Sequence, residues 1–206
     1  MIPDSINHDI KNDSWHNCTI STPRLVVRAF KPEDAENLFE YLSIKEVYRF
    51  EPGEPVDRQQ AQELAAEMST SPDFWAVELQ VENRVIGQIY FKQVEPQELM
   101  TWELGYILSP HYQRQGYASE AVSALVQTGF PAAGIHRIFA QCNPENIASW
   151  KLLEKVGFRR EGLLKKNIFF RRDERGEPIW TDTFVYAMLA EENRQDAERS
   201  KWNIST

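Results

Sequence analysis

WELGYILSPHYQRQGYASEAVSALVQTGF, residues Trp102 to Phe130, changes its hydrophobic period once along its length. Trp102 to Leu108 carries the aromatic and branched residues that suit a pleated strand. Ser109-Pro110 ends that run, because proline removes a ladder donor and restricts the residue before it. Beyond it, Ala118, Ala121, Val122, Leu125, Val126 and Gly129 recur at helical spacing and make one apolar face. The turn between strand and helix is Gln113-Arg114-Gln115-Gly116-Tyr117-Ala118, in which Gly116 and Ala118 are small where bulk would block approach to the backbone. The first N–H groups of a helix are unpaired donors at the positive end of its dipole, so this turn is a seat for an anion such as a pyrophosphate. The same residues also fit an ordinary strand-to-helix connection. The segment is neither Gly-x-Gly-x-x-Gly nor a loop ending in Gly-Lys-Ser/Thr.

The chain of 206 residues is long enough for one domain with a sizeable core. Its 42% hydrophobic and 26% charged residues are ordinary globular composition. A formal net charge of −8 disfavours nucleic acid or anionic membrane as the main partner. Two cysteines, Cys18 and Cys142, make no disulfide framework. There is no signal-peptide pattern and no apolar run near the roughly 20 residues that span a bilayer, so a cytoplasmic setting is expected.

Working outward, residues 1–21 are a polar extension with Trp15 and Ile20 as docking points, and 192–206 are a charged tail. Between them, 22–191 form the domain. Arg24 to Phe30 reads as a strand, and Pro32-Glu33-Asp34 opens a helix. Asp57 is an N-cap for a second helix, which Pro72 ends. Phe74 to Val81 and Arg84 to Lys92 are an antiparallel pair joined through Glu82-Asn83. His136 to Gln141 is a strand parallel to Trp102–Leu108, because a helix bridges the two. A helix from near Asn146 stops at Gly157. Phe158 to Arg172 and Ile179 to Leu189 are two further strands.

Two segments carry a family likeness: Gln113-x-x-Gly116-x-Ala118 opening a helix, and Asn143-x-x-Asn146-x-x-Ser149 followed by Glu154-Lys155-Val156-Gly157-Phe158. With Glu103-Leu104-Gly105-Tyr106 ahead of both, the chain resembles the GNAT superfamily of acyl-CoA-dependent N-acyltransferases. Glu154 to Gly162 looks most like the branch that acetylates N-terminal amines of ribosomal proteins, and its relatives with small-molecule acceptors. The resemblance implies an α/β (α+β) fold: a mixed, mostly antiparallel sheet of about seven strands, parted at its centre and flanked by about four helices. Acetyl-CoA would lie in the gap between the Trp102–Leu108 and His136–Gln141 strands. Its pyrophosphate would rest on amides of Gln113, Arg114, Gln115, Gly116, Tyr117 and Ala118, with no metal involved. Many such loops carry a glycine where this chain has Ala118, a difference of one methyl.

What the resemblance implies for chemistry is attack of a neutral amine on an acetyl thioester. Backbone N–H groups near Ile107 and Leu108 would stabilise the oxyanion. Glu103 would be the base, acting through water, or else a surface or salt-bridged glutamate. Ser149 would give a proton to the thiolate or bond within its helix. Asn146 would contact pantetheine or cap its helix. Tyr186 lies on the last strand, where some GNAT enzymes have catalytic or acceptor-site groups, but a core tyrosine is expected; Trp75, Tyr90, Phe91 and Trp102 are expected in the core rather than in an acceptor cage. His111 and His136 have no metal-ligand spacing with Cys142 or with each other. The acceptor, set by loops around 44–58 and 168–182, ranges over protein N-termini, polyamines, amino acids and amine-bearing antibiotics. A CoA-binding sensor without turnover is the reading from a different class. Free strand edges, and the habit of this branch, leave a homodimer open.

Overall fold

Alternating apolar residues fold the first half of the chain into a meander, and the computed structural model, which describes Trp15 and residues 18–193, pairs its strands in sequence order. The strands are β1 (Ile20–Ser21), β2 (Leu25–Ala29), β3 (Phe74–Leu79), β4 (Arg84–Gln93), β5 (Thr101–Leu108), β6 (Arg137–Cys142), β7 (Arg159–Ile168) and β8 (Thr181–Leu189). The helices are α1 (Ala35–Leu42), α2 (Arg58–Thr70), α3 (Tyr117–Ala132) and α4 (Ile147–Val156). They lie against one sheet of order β1-β2-β3-β4-β5-β6-β8-β7. Every adjacent pair is antiparallel except β5 and β6, whose connection through α3 makes them parallel. This is the mixed, mostly antiparallel sheet expected, with eight strands rather than about seven.

The additional strand is β1, which pairs Ile20 with Val27 at the sheet edge, inside the segment read as an extension. Trp15 is buried, its ring 5.1 Å from Trp75 and 5.7 Å from Phe91. The tail beyond residue 193 and most of residues 1–17 lie outside the described residues. The last hairpin is shorter than the sequence pattern extends, because β7 stops at Ile168 and β8 starts at Thr181. Arg171 donates to the Tyr48 carbonyl, and the Phe169 and Trp180 rings pack edge to face at 5.1 Å. The two arms stay joined beyond the regular ladder, with Ile179 N–H bonding Arg171 O at 2.9 Å and a bridge between Arg172 and Pro178.

Apolar faces of α3 and α4, including Ala121, Leu125 and Leu153, pack on one side of the sheet against Leu104 and Ile138. Leu38 and Leu42 of α1 with Ala61 and Ala65 of α2 pack on the other, against Ala76 and Val85. Local chemistry fixes the helix ends. Asp57 and Gln60 form a reciprocal capping box at α2, with bonds of 2.9 and 2.8 Å. Gly157 ends α4 at φ +108°, a left-handed conformation that glycine adopts without steric cost. Arg28 joins Asp34 through two bonds of 2.8 and 2.9 Å and Glu78 at 2.7 Å, which fastens the entry of α1 to β2 and β3.

The feature that positions the site is where β5 and β6 stop pairing. Their ladder runs from Thr101–Arg137 to Leu104–Ala140 and ends there. β5 continues to Leu108 against β4, and β6 continues to Cys142 against β8. Close packing of β4 on β5 supports the exposed half of β5. A Cβ on Gly87 would come within 2.5 Å of the Ile107 carbonyl oxygen, whereas one on Gly105 would meet Tyr90 Cβ at an ordinary 3.7 Å. Gly87→Ala is therefore expected to destabilise the fold by about 1–3 kcal/mol, as overpacking does, with Gly105→Ala well below that. Urea unfolding midpoints check this, and a Gly87→Ala midpoint equal to wild type would contradict it.

Candidate active site

Ladder alternation decides which main-chain groups of β5 face the parting. The bonds from Val94 N–H to Thr101 O (2.9 Å) and from Ser109 N–H to Ile86 O (2.8 Å) fix the parity of the β4–β5 pair. That parity turns the N–H and C=O of Glu103, Gly105 and Ile107 toward β4, and those of Leu104, Tyr106 and Leu108 toward β6. Past Leu104 there is no β6 partner, so the amides of Tyr106 and Leu108 look into the gap. Of the two amides expected there, Leu108 is so placed; Ile107 is committed to β4.

Beyond the open end of β5, Pro110–Tyr112 makes a short 3-10 turn and leads into α3. Gly116 is the N-cap at φ +84°, and Arg114 is also left-handed at φ +62°. The first bond of the helix is Glu120 N–H to Gly116 O at 3.0 Å. The N–H groups of Tyr117, Ala118 and Ser119 therefore precede the helical ladder and form a donor cluster. Gln113 Nε2 donates to Leu108 O (3.1 Å) and Gln115 Nε2 to His111 O (3.4 Å), so these side chains brace the turn. Arg114 is exposed.

Arg24, to which the sequence pattern assigns no role, holds this loop to β2. Its guanidinium donates to Gln115 O at 3.0 Å and Glu120 at 2.7 Å, and stacks over Tyr117 at 4.4 Å. Partial burial works against the Glu120 carboxylate, but hydrogen bonds from Thr22 and Arg24 outweigh it and keep its pKa below the usual range. No sequence signal marks Arg24, because its partners are far along the chain.

The parting opens into a cleft of about 440 Å³. β5 and β6 form its floor, Asn146 and Ser149 of α4 one wall, and Phe50–Pro52 with Ile168, Phe170 and Thr181–Thr183 the other. The loops expected to set acceptor choice thus meet here, tied by the Arg171 bond to Tyr48 O. Asn146 caps α4, accepting from Ser149 N–H at 3.2 Å. The Ser149 hydroxyl lies 2.9 Å from the Tyr106 hydroxyl, which also reaches Ser149 O at 3.1 Å. Burial raises the Tyr106 pKa far above the usual phenol value, so it remains a neutral donor. Cys142 is buried beside them, and burial pushes its thiol up to about 11 despite a hydrogen bond with Ser149.

The cleft contains no lysine, arginine or histidine among its lining residues, but it contains Glu51, Glu103 and Asp182. Asp182 is paired with Lys165 at 2.8 Å. Glu103 and Glu51 have no hydrogen-bond or ion-pair partner among the described residues. Glu103 is thus in the cleft as expected and is not salt-bridged; Glu51 was missed, since a glutamate in a Pro/Gly loop carries no pattern. Trp75, Phe91 and Trp102 are buried in the core as expected, whereas Tyr90 lines the cleft and packs on Phe74 at 5.3 Å. Tyr186 is fully buried and donates to Glu154 at 2.9 Å; burial and that bond push it up to about 12. No group of three or more His, Cys, Asp or Glu side chains among the described residues is arranged to hold a metal ion. None of the described helices is long and apolar enough to cross a membrane.

Comparison with known proteins agrees with this geometry. Residues 24–159 match the family described as "Acetyltransferase (GNAT) domain". The "Uncharacterized N-acetyltransferase YnaD" of Bacillus subtilis is 36% identical over 174 residues, covering 84% of this chain and 98% of the relative. The "[Ribosomal protein uS5]-alanine N-acetyltransferase" of Escherichia coli is 28% identical, over 71% of this chain and 80% of its own length. Among solved structures, a GNAT-family acetyltransferase from Bacillus anthracis superposes with a TM-score of 0.76 at 34% identity, over 84% of this chain and 99% of that one. An opened parallel strand pair, a donor-rich helix start beyond it and these relationships lead to one conclusion: the chain belongs to the GNAT family and is an acyltransferase.

Proposed function

We propose that the protein transfers the acetyl group of acetyl-CoA to the N-terminal amine of a protein. The observation that carries this reading is the end of β5–β6 pairing at Leu104–Ala140, which presents the Tyr106 and Leu108 amides beside the Ser149–Tyr106 pair. The likeness to the ribosomal-protein enzyme supports a peptide acceptor. A primary amine on a small molecule is the second reading, favoured by the cleft's acidic lining without any basic residue.

Acetyl-CoA supplies the thioester carbonyl that the amine attacks. Unpaired strand N–H groups fit an extended amide-bearing arm, and the start of α3 fits its diphosphate through the amides of Tyr117, Ala118 and Ser119. Gln113, Gln115 and Arg24 hold that turn in shape, and Arg114 faces outward where it can meet a phosphate. Leu108 N–H stabilises negative charge on the thioester oxygen, with Ile107 acting only through its bond to β4. Ser149 donates a proton to the departing thiolate, and Tyr106 assists by donating to the serine oxygen as that proton leaves. The proton acceptor for the incoming ammonium comes from the cleft's unpaired carboxylates, Glu103 and Glu51.

Thiol release from acetyl-CoA, measured with peptides starting in alanine or serine and with 1,4-diaminobutane, decides between the acceptors. Faster release with the peptides is expected. Acetyl-CoA binding without acceptor-dependent release would mean a sensor rather than an enzyme of this specificity. Ser149→Ala is expected to lower kcat by about 10²-fold while leaving calorimetric acetyl-CoA affinity near wild type. Equal kcat would remove Ser149 from the proton route. Gly116→Trp combines a strained φ of +84° with bulk at the helix start, and is expected to weaken acetyl-CoA binding by at least about tenfold, or ~1.4 kcal/mol. Undiminished affinity would count against the diphosphate seat.

A further inference from the structure

The segment between Arg49 and α2 is held rather than loose. Tyr48 donates its hydroxyl to Leu42 O at 2.9 Å, Val56 N–H bonds the same carbonyl at 3.1 Å, and Arg171 fixes Tyr48 O from the opposite loop. Within it, Phe50, Glu51 and Pro52 all line the cleft, so Glu51 enters it between two apolar residues of the same loop. It shares the lining of this cleft with Tyr106, Cys142 and Ser149.

Resting on the amine-acetylation reading, we propose that Glu51 takes the proton from the acceptor ammonium, while Glu103, elsewhere in the cleft lining, draws the ammonium in. The division follows from their surroundings. Glu103 stands directly across the ladder from Lys92, on the same face of the sheet, with the Lys92 ammonium itself paired with Asp73 at 3.5 Å. No lysine, arginine or histidine is among the residues that line the cleft with Glu51. The other ionisable side chains lining the cleft are Tyr90, Glu103, Tyr106, Cys142 and Asp182, the last paired with Lys165. Burial without a counter-charge raises the Glu51 carboxyl to about 7. Such a group is mostly protonated below that pH and unable to accept; it becomes a working base as pH rises through it.

The proton count closes. The ammonium gives one proton to the Glu51 carboxylate, and the freed amine forms its C–N bond to the thioester carbonyl as the C–S bond breaks. The thiolate takes its proton from Ser149. The second proton lost by the nitrogen, as it becomes an amide, restores Ser149 through water, and Glu51 releases its own proton to solvent.

The pH dependence of kcat/KM for wild type, Glu51→Gln and Glu103→Gln tests this, with an alanine-starting peptide and 1,4-diaminobutane as acceptors. Wild type is expected to show an acid limb with a midpoint near 7. Glu51→Gln should lose that limb and about 10²-fold in rate, whereas Glu103→Gln should keep the limb and raise the acceptor KM. Acetyl-CoA affinity by calorimetry should match wild type in both variants. Carbon-13 NMR of glutamate carboxyls gives a readout independent of turnover: the resonance titrating near 7 should vanish in Glu51→Gln. An acid limb or a titrating resonance with its midpoint near 7 that survives in Glu51→Gln, apart from the limb set by the acceptor amine's own ionisation at about 8 or above, would overturn the role of Glu51 and leave acetyl transfer standing. Wild type without turnover on either acceptor would overturn both.

Discussion

Parallel strands joined by a helix would ordinarily pair along their whole shared length, and here β5 and β6 part after Leu104 and Ala140. A parted ladder leaves buried-side N–H and C=O groups without partners, a cost tolerated where a ligand or water meets them. The two strands can separate because each remains paired on its outer side, β5 with β4 to Leu108 and β6 with β8 to Cys142. The tight contact of Gly87 on the Ile107 carbonyl belongs to that outer support. Donor amides, the helix start at Gly116, and the Ser149–Tyr106 pair all take their positions from this one divergence.

On the acceptor side the governing quantity is charge in a confined space. Loops from opposite ends of the chain close over the sheet, joined by Arg171 and the Tyr48 carbonyl. They bring carboxylates into a cleft whose lining includes no basic side chain, which favours a cationic acceptor by simple Coulomb attraction. Two glutamates in different surroundings can then divide attraction and proton transfer between them, as paired carboxylates in enzymes commonly do.

Much of the scaffold was legible in the residues. The change of period after Ser109-Pro110, the Asp57 cap and the Gly157 stop each mark an element that the structure contains. Local rules suffice there because the interactions concerned are themselves local. The family motifs placed Gln113–Ala118 at a helix start and singled out Asn146 and Ser149, which the structure brings to the cleft lining. What the sequence could not disclose were relations between distant segments. Arg24 reaches across to Glu120, Arg171 to Tyr48, and Glu51 enters the cleft from a loop without periodicity. The fate of the Ile107 amide depended on ladder parity, which only the β4 register reveals.

The central claim, that main-chain amides at the parted strands and the start of α3 hold the acyl donor, is tested most directly by residue-resolved amide hydrogen exchange with and without saturating acetyl-CoA. New protection is expected at Tyr106, Leu108, Tyr117, Ala118 and Ser119, with Ile107 already protected in the free protein by its bond to β4. Unchanged exchange at those five amides while acetyl-CoA is bound would contradict it.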